Sequence, residues 1–272
     1  MLRQRIITAA IAALVVLFAI FALPTAAFAV GLAIVLLVGA WEWGMLGRLD
    51  RIPSRAMYVA VLGAIGGLAA LLMAWHGWVP LLLTGACLNW LYLGWRVGNY
   101  DRNPDTGIKP TGVRVLGALV LVPTWVALVW LHGRPDLGPA LVLMTLSLVW
   151  AADTGAYFAG RRWGRRKLAP RVSPGKTREG AYGGLMAVVA VAIAGGIGLG
   201  IGGSRWLPFV LLCVVCFLAS ILGDLLESMI KRQRGVKDSG TILPGHGGVM
   251  DRIDSLTAAA PVFAWGMLWI LP

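Results

Sequence analysis

Residues 205–232 read RWLPFVLLCVVCFLASILGDLLESMIKR. No charged residue stands between Arg205 and Asp224. A helix needs about 20 such residues to cross roughly 30 Å of hydrocarbon. Applied outward from this stretch, the same rule divides the chain into about nine apolar spans: 5–23, 25–47, 56–75, 78–95, 113–132, 137–158, 180–200, 205–226 and 255–271. Pro24 separates the first two. The seventh, with Gly180-x-x-x-Gly184 and Gly196-x-x-x-Gly200, reads as a helix held close to its neighbours. There is no internal repeat. The expected fold is all-α, a polytopic integral membrane protein.

Composition excludes the water-soluble alternative. The chain is 58% hydrophobic and only 13% charged, against about 25% charged in a soluble domain. Its mean hydropathy is +0.79. Several of the 13 tryptophans (Trp41, Trp75, Trp78, Trp95, Trp206, Trp269) sit near span ends, as in the aromatic belts of membrane proteins. The net charge of +12 does not mark a nucleic-acid binder, because the basic residues are confined to short segments between apolar runs. Cys87, Cys213 and Cys216 all lie inside apolar runs, and the lone Cys213-x-x-Cys216 pair lacks the further ligands of a zinc site. Arg3 and Arg5 followed by an apolar run and Ala27-Phe28-Ala29 imitate a signal peptide, but the run is too long for one and is expected to stay as the first span.

The charges also orient the chain. With the N-terminus inside, all but two of the 24 lysines and arginines fall on inner segments, the exceptions being Arg134 and Arg205. Such a bias predicts the N-terminus in the cytoplasm and the C-terminus outside. Residues 1–135 are then about five N-terminal helices, and 136–272 a catalytic region with two long inner loops, 159–179 and 227–254.

Carboxylates inside or at the ends of apolar spans are the larger anomaly. An ionised one there costs roughly 3 kcal/mol or more, which makes Asp153, Asp224 and Glu227 functional candidates. Glu42, inside the second span, is open to either a structural hydrogen bond or a role. Asp224, Glu227, Ser228 and Lys231 recur at i, i+3, i+4 and i+7, one helix face. Two carboxylates at this spacing suit Mg²⁺, which takes one or two carboxylates and completes its shell with phosphate and water. The same residues also suit a solvated helix end with a Glu227–Lys231 pair. Further on, Pro244-Gly-His-Gly-Gly248 is a backbone-exposing turn that suits phosphate oxygens. Asp251, Arg252 and Asp254 open the final helix, where the dipole favours anions.

Taken together, Ser228-x-x-Lys231-Arg232-x4-Lys237-Asp238-x-Gly240-x3-Pro244-Gly-His246-Gly247-Gly248-x-x-Asp251-Arg252-x-Asp254 resembles the signature of the phosphatidate cytidylyltransferase, or CDP-diacylglycerol synthase, family. A second block resembles the same family: Ala152-Asp153-Thr-Gly-Ala-Tyr157-Phe-Ala-Gly160-Arg161, then Ser173-Pro174-Gly-Lys176-Thr177-Arg-Glu179-Gly180. It departs from the family's pattern at Gly175 and Arg178.

The resemblance implies transfer of the cytidylyl group of CTP to phosphatidic acid, with Mg²⁺, by a homodimer in the inner membrane whose site faces the cytoplasm. It implies Asp224, Asp251, Lys231 and His246 as the catalytic set, His246 as a hydrogen-bond donor to phosphate. Asp224 and Asp251, with Glu227, Asp254 and Asp153, are the implied metal residues. Substrate contacts fall on Ser173, Lys176, Thr177, Glu179, Ser228, Arg232, Lys237, Asp238, Gly247, Gly248 and Arg252. Two other classes fit less well. A transporter places acidic groups near the midplane in paired broken helices, and these cluster at one face. A CDP-alcohol phosphatidyltransferase shows Asp-Gly-x-x-Ala-Arg with spaced aspartates, a run absent here.

Overall fold

The computed structural model describes residues 2–75, 77–242 and 247–271, with side chains from residue 10 onward in the first stretch. His246 and its neighbours 243–245 therefore lie outside the described residues. Among the described residues there are nine long helices: α1 (Leu2–Ala22), α2 (Thr25–Leu46), α3 (Ile52–Leu72), α4 (Trp78–Arg102), α5 (Pro110–His132), α6 (Gly138–Trp163), α7 (Arg178–Gly198), α8 (Trp206–Arg234) and α9 (Met250–Ile270). Seven of them, α2, α3 and α5–α9, are long and apolar enough to cross a membrane. In α1 the described apolar stretch is Ala10–Ala22. The chain is a multi-pass membrane protein.

Three helices run past their apolar spans, so the expected loops are shorter than the hydropathy indicates. α4 continues to Arg102, α6 to Trp163 and α8 to Arg234. Helix propagation needs no apolar residue once nucleated. Basic residues in the last turn, Arg161 and Arg162 in α6 and Lys231, Arg232 and Arg234 in α8, also suit the negative end of the dipole. Gly235 then ends α8 in the left-handed conformation at φ 75°, open to glycine at no steric cost. The 159–179 segment is not a plain loop either. It holds an antiparallel hairpin of β1 (Lys167–Ala169) and β2 (Ser173–Thr177), a small addition to the all-α expectation.

α5 and α9 form the centre, with 72% of each apolar window buried, against 11% for α3. The periphery presents Phe18, Leu71, Leu91, Met186 and Ile197 outward, toward lipid. Lipid tails are as apolar as these side chains, so helix association rests on close packing instead. A Cβ at Gly183 of α7 would overlap that of Ala159 in α6, and one at Gly223 of α8 would overlap the Asp254 carbonyl oxygen of α9. Of the four glycines in the seventh span's two motifs, Gly180, Gly184 and Gly196 are in such contact, whereas Gly200 lies beyond the helix at φ 67° with open space around it.

At one end of the bundle α1, α2 and α5 are tied by His132, whose Nδ1 is 3.0 Å from Thr25 Oγ1 and whose Nε2 is 3.0 Å from the Ile20 carbonyl. The Phe28 ring stacks on it. Also at this end, Arg134 donates to the Leu271 carbonyl. The opposite end gathers the basic segments. There Arg114 Nε donates to the Gly47 carbonyl, and Arg234 pairs with Asp50.

Candidate functional site

At that basic end α8 presents the face expected from its spacing. Ser228 Oγ donates to Asp224 Oδ1 one turn back, at 3.1 Å. Lys231 Nζ lies 3.5 Å from Glu227 Oε1 and 2.5 Å from Asp251 Oδ1 on α9. Glu227 is 1% exposed, with the Lys231 ammonium and the Asp254 carboxyl beside it among the described residues. Asp254, one turn along α9 from Asp251, stands beside Glu227 and within electrostatic reach of Asp224 and Lys176. Asp153, from α6, is in reach of Lys176, Asp224 and Arg252.

The hairpin delivers Lys176. Its Nζ is 2.7 Å from Asp224 Oδ2. The hairpin is held at three points. Asp101, at the end of α4, accepts the Arg171 amide at 2.8 Å and the Val172 amide at 3.2 Å, which sets the turn. Glu179 accepts the amides of Arg165 at 3.0 Å and Arg166 at 3.1 Å, which sets the approach to β1. Thr177 caps α7, its Oγ1 accepting the Gly180 amide at 3.1 Å. Thr177 and Glu179 thus organise the backbone that carries Lys176, while Ser173 begins β2, half-buried.

A cavity of about 400 Å³ opens between α6, α7, α8 and the hairpin. Asp153, Arg161, Lys176 and Thr177 supply its polar lining; Ala156, Ala181, Phe217 and Ile221 supply apolar walls. One cavity thus joins cationic groups to apolar surface, which matches an amphiphile.

Residues 235–242 and 247–249 close the other side. Asp251 Oδ2 accepts the amides of Ser239 at 3.0 Å and Gly248 at 2.8 Å, so this carboxylate folds the loop onto α9. Arg232, Lys237, Asp238 and Arg252 are exposed around it, and Gly247 sits at φ 82°. The first α9 amides, expected to face anions, are occupied by a carboxylate of the protein: Glu42 of α2 accepts Val249 N–H at 3.0 Å and Met250 N–H at 2.8 Å. Sequence reasoning missed Asp101, Ser239 and the role of Glu42. Only Glu42 carried a signal, as an acid inside an apolar span.

No group of three or more His, Cys, Asp or Glu side chains among the described residues is spaced to enclose a metal ion. The donor set nevertheless suits Mg²⁺, which uses few protein ligands and leaves positions for phosphate and water. Asp224 and Asp251 each hold a lysine ammonium at 2.7 and 2.5 Å, so both positions already accept a cation. The buried Glu227 carboxylate, beside Lys231 and Asp254, adds acceptors nearby.

The sequence matches the Cytidylyltransferase family model over residues 3–270. It is 42% identical to the phosphatidate cytidylyltransferase of Pseudomonas aeruginosa over 269 residues, 99% of this chain and 97% of that one. It is 37% identical to the phosphatidate cytidylyltransferase of Haemophilus influenzae over 289 aligned residues, covering both chains in full. It is 36% identical to that of Mycobacterium bovis over 218 residues, 76% of this chain and 70% of that one.

Proposed function

This chain belongs to the cytidylyltransferase family, and on that premise we infer its reaction: it transfers the cytidylyl group of CTP to phosphatidic acid, giving CDP-diacylglycerol and pyrophosphate. The observation that carries this reading is the juxtaposition of Lys176, Asp224, Lys231 and Asp251 beside a cavity lined by Lys176, Arg161 and apolar walls. A lipid phosphate and a nucleotide triphosphate need such a meeting point, and one of them brings acyl chains.

In the proposed mechanism an oxygen of the lipid phosphate attacks the α-phosphorus of CTP. The bond from that phosphorus to the α–β bridging oxygen breaks, and pyrophosphate leaves in line. A phosphate monoester is already an anion at pH 7, so no covalent enzyme intermediate and no general base are required. The protein positions two polyanions and offsets their charge. Lys176, in the cavity lining with Arg161, takes the lipid phosphate, and Ser173 begins the strand that carries it. Lys231, Arg232, Lys237 and Arg252 take CTP phosphates, aided by Ser228 and the amide of Gly247; the Gly248 amide, expected at the substrate, is instead held by Asp251. His246 and Asp238 belong to the same nucleotide side of the reading.

Asp224 and Asp251 would hold Mg²⁺, with Glu227 and Asp254 between them and Asp153 at the cavity wall. When bound, the ion supplies charge neutralisation at phosphate oxygens and at the α-phosphorus. The two lysines that pair with these carboxylates would then be free to turn to phosphate.

The rest of the reading is topological. The bundle crosses the inner membrane nine times, with the N-terminus and the site on the cytoplasmic side, as the distribution of basic residues favours. It assembles as a homodimer, as the resemblance of its signature implies. Purified protein given radiolabelled CTP and phosphatidic acid, with and without Mg²⁺, tests the function. Label in the lipid phase only with phosphatidic acid and Mg²⁺ is the expected result; no transfer under any condition removes the reading.

A further inference from the structure

Glu42 is the one acidic side chain of α2, and it is fully buried at 0% exposure. Its carboxylate reaches across the bundle to the far end of the chain. Oε1 accepts the Val249 amide at 3.0 Å, Oε2 accepts the Met250 amide at 2.8 Å, and Ser239 Oγ lies 3.2 Å from Oε2. Thus one side chain touches residues 239–240, residues 248–249 and the first turn of α9. Partners like these explain how a carboxylate is tolerated there: helix-terminal amides and a hydroxyl replace the water it has lost.

The same Ser239 hydroxyl is 3.0 Å from Asp251 Oδ2. A hydroxyl has one proton, so it donates to one carboxylate at a time while its position is set by both. Asp251 in turn holds Lys231 at 2.5 Å. A connected path therefore runs from Glu42 through Ser239 and the α9 terminus to the Asp251–Lys231 pair. The packing allows little slack. A Cβ at Gly240 or at Gly248 would overlap the Glu42 carboxylate, so both loop backbones approach it more closely than any side chain permits.

We propose that Glu42 is a positioning residue for cytidylyl transfer: it holds residues 239–240, residues 248–249 and the start of α9 so that Asp251 and Lys231 stand where the reaction needs them. The proposal rests on the reading that Asp251 and Lys231 serve that reaction. A plain helix cap would affect stability alone, whereas a positioning residue affects turnover in protein that is still folded.

The test uses the full-length enzyme in detergent. Glu42→Gln keeps shape and one acceptor oxygen but turns an N–H₂ toward one amide that itself donates. With thermal unfolding and elution volume like the parent's, kcat should fall tenfold or more while KM for phosphatidic acid stays within twofold. Trypsin cleavage after the exposed Lys237 should quicken several-fold. Ser239→Ala and Gly240→Ala act on the same contact from the loop side and should lower kcat in the same sense. A folded Glu42→Gln variant with kcat within twofold of the parent overturns the proposal. Should that variant not fold, Ser239→Ala and Gly240→Ala both turning over like the parent would overturn it instead. If the parent itself transfers nothing, the functional reading fails, and the trypsin rate still reports whether Glu42 holds the loop; an unchanged rate sinks that as well.

Discussion

Lys176 Nζ lies 2.7 Å from Asp224 Oδ2, an ion pair that fastens the hairpin to the site helix. Each partner is about a quarter exposed, at 26% and 27%, so substrate can reach both. The pair joins two segments that share no helix or strand, and the cavity opens beside it.

If this contact belongs to the substrate site, its loss should be felt in turnover more than in stability. Lys176→Met should lower kcat/KM for phosphatidic acid by about tenfold to a hundredfold, the scale of one charge-assisted contact of ~1.5–3 kcal/mol. Paired with Asp224→Asn in a double-mutant cycle, the effects should be non-additive, because the residues touch. Full additivity would place Lys176 outside the site.

Asp224→Asn and Asp251→Asn keep size and hydrogen bonding while removing charge. Each should cut turnover by about 10²-fold or more, the scale of losing a main electrostatic stabiliser. The double variant should be little worse than either single one if both serve one cation. Chelation with EDTA should abolish turnover and Mg²⁺ restore it in the parent. Strict multiplication of the two losses would show that the carboxylates act independently.

The exposed Lys237 is read as a nucleotide contact, whereas the exposed Arg48 and Arg102 are read as anchors at the membrane surface. Lys237→Ala should raise KM for CTP about tenfold, and Arg48→Ala or Arg102→Ala should leave it within twofold. Equal rises in all three would mean that the basic end acts through bulk attraction, with no dedicated phosphate contact. Steady-state kinetics at two salt concentrations makes the comparison.

Orientation is checked in intact cells with a membrane-impermeant maleimide. Arg171→Cys and Lys237→Cys should remain unlabelled until the membrane is permeabilised, while Pro135→Cys, beside Arg134, should label at once. Prompt labelling at 237 would put the site on the outer face and end the proposal of a cytoplasmic CTP site.

The apolar spans, the gathering of basic segments at one end and the face of α8 were all legible in the linear chain. Each depends on residues close in sequence: an uninterrupted apolar run must leave water, and i, i+3, i+4 and i+7 must share a helix face. Helix ends were less legible. Hydropathy marks where lipid stops, and α4, α6 and α8 continue beyond that point because backbone hydrogen bonds, not apolar side chains, propagate a helix.

By itself, then, the sequence determined a multi-pass helical bundle with a phosphate-handling signature at one end. Only the tertiary structure decided which charge meets which. That Lys176 faces Asp224, that Lys231 lies between Glu227 and Asp251, that Asp101 holds the hairpin turn and that Glu42 caps α9 are contacts between segments up to 208 residues apart. No periodicity encodes them. In lipid the apolar faces of different helices are nearly equivalent, so neighbours are chosen by close approach at residues such as Gly183 and Gly223, and the buried charges are paired by where that packing leaves them.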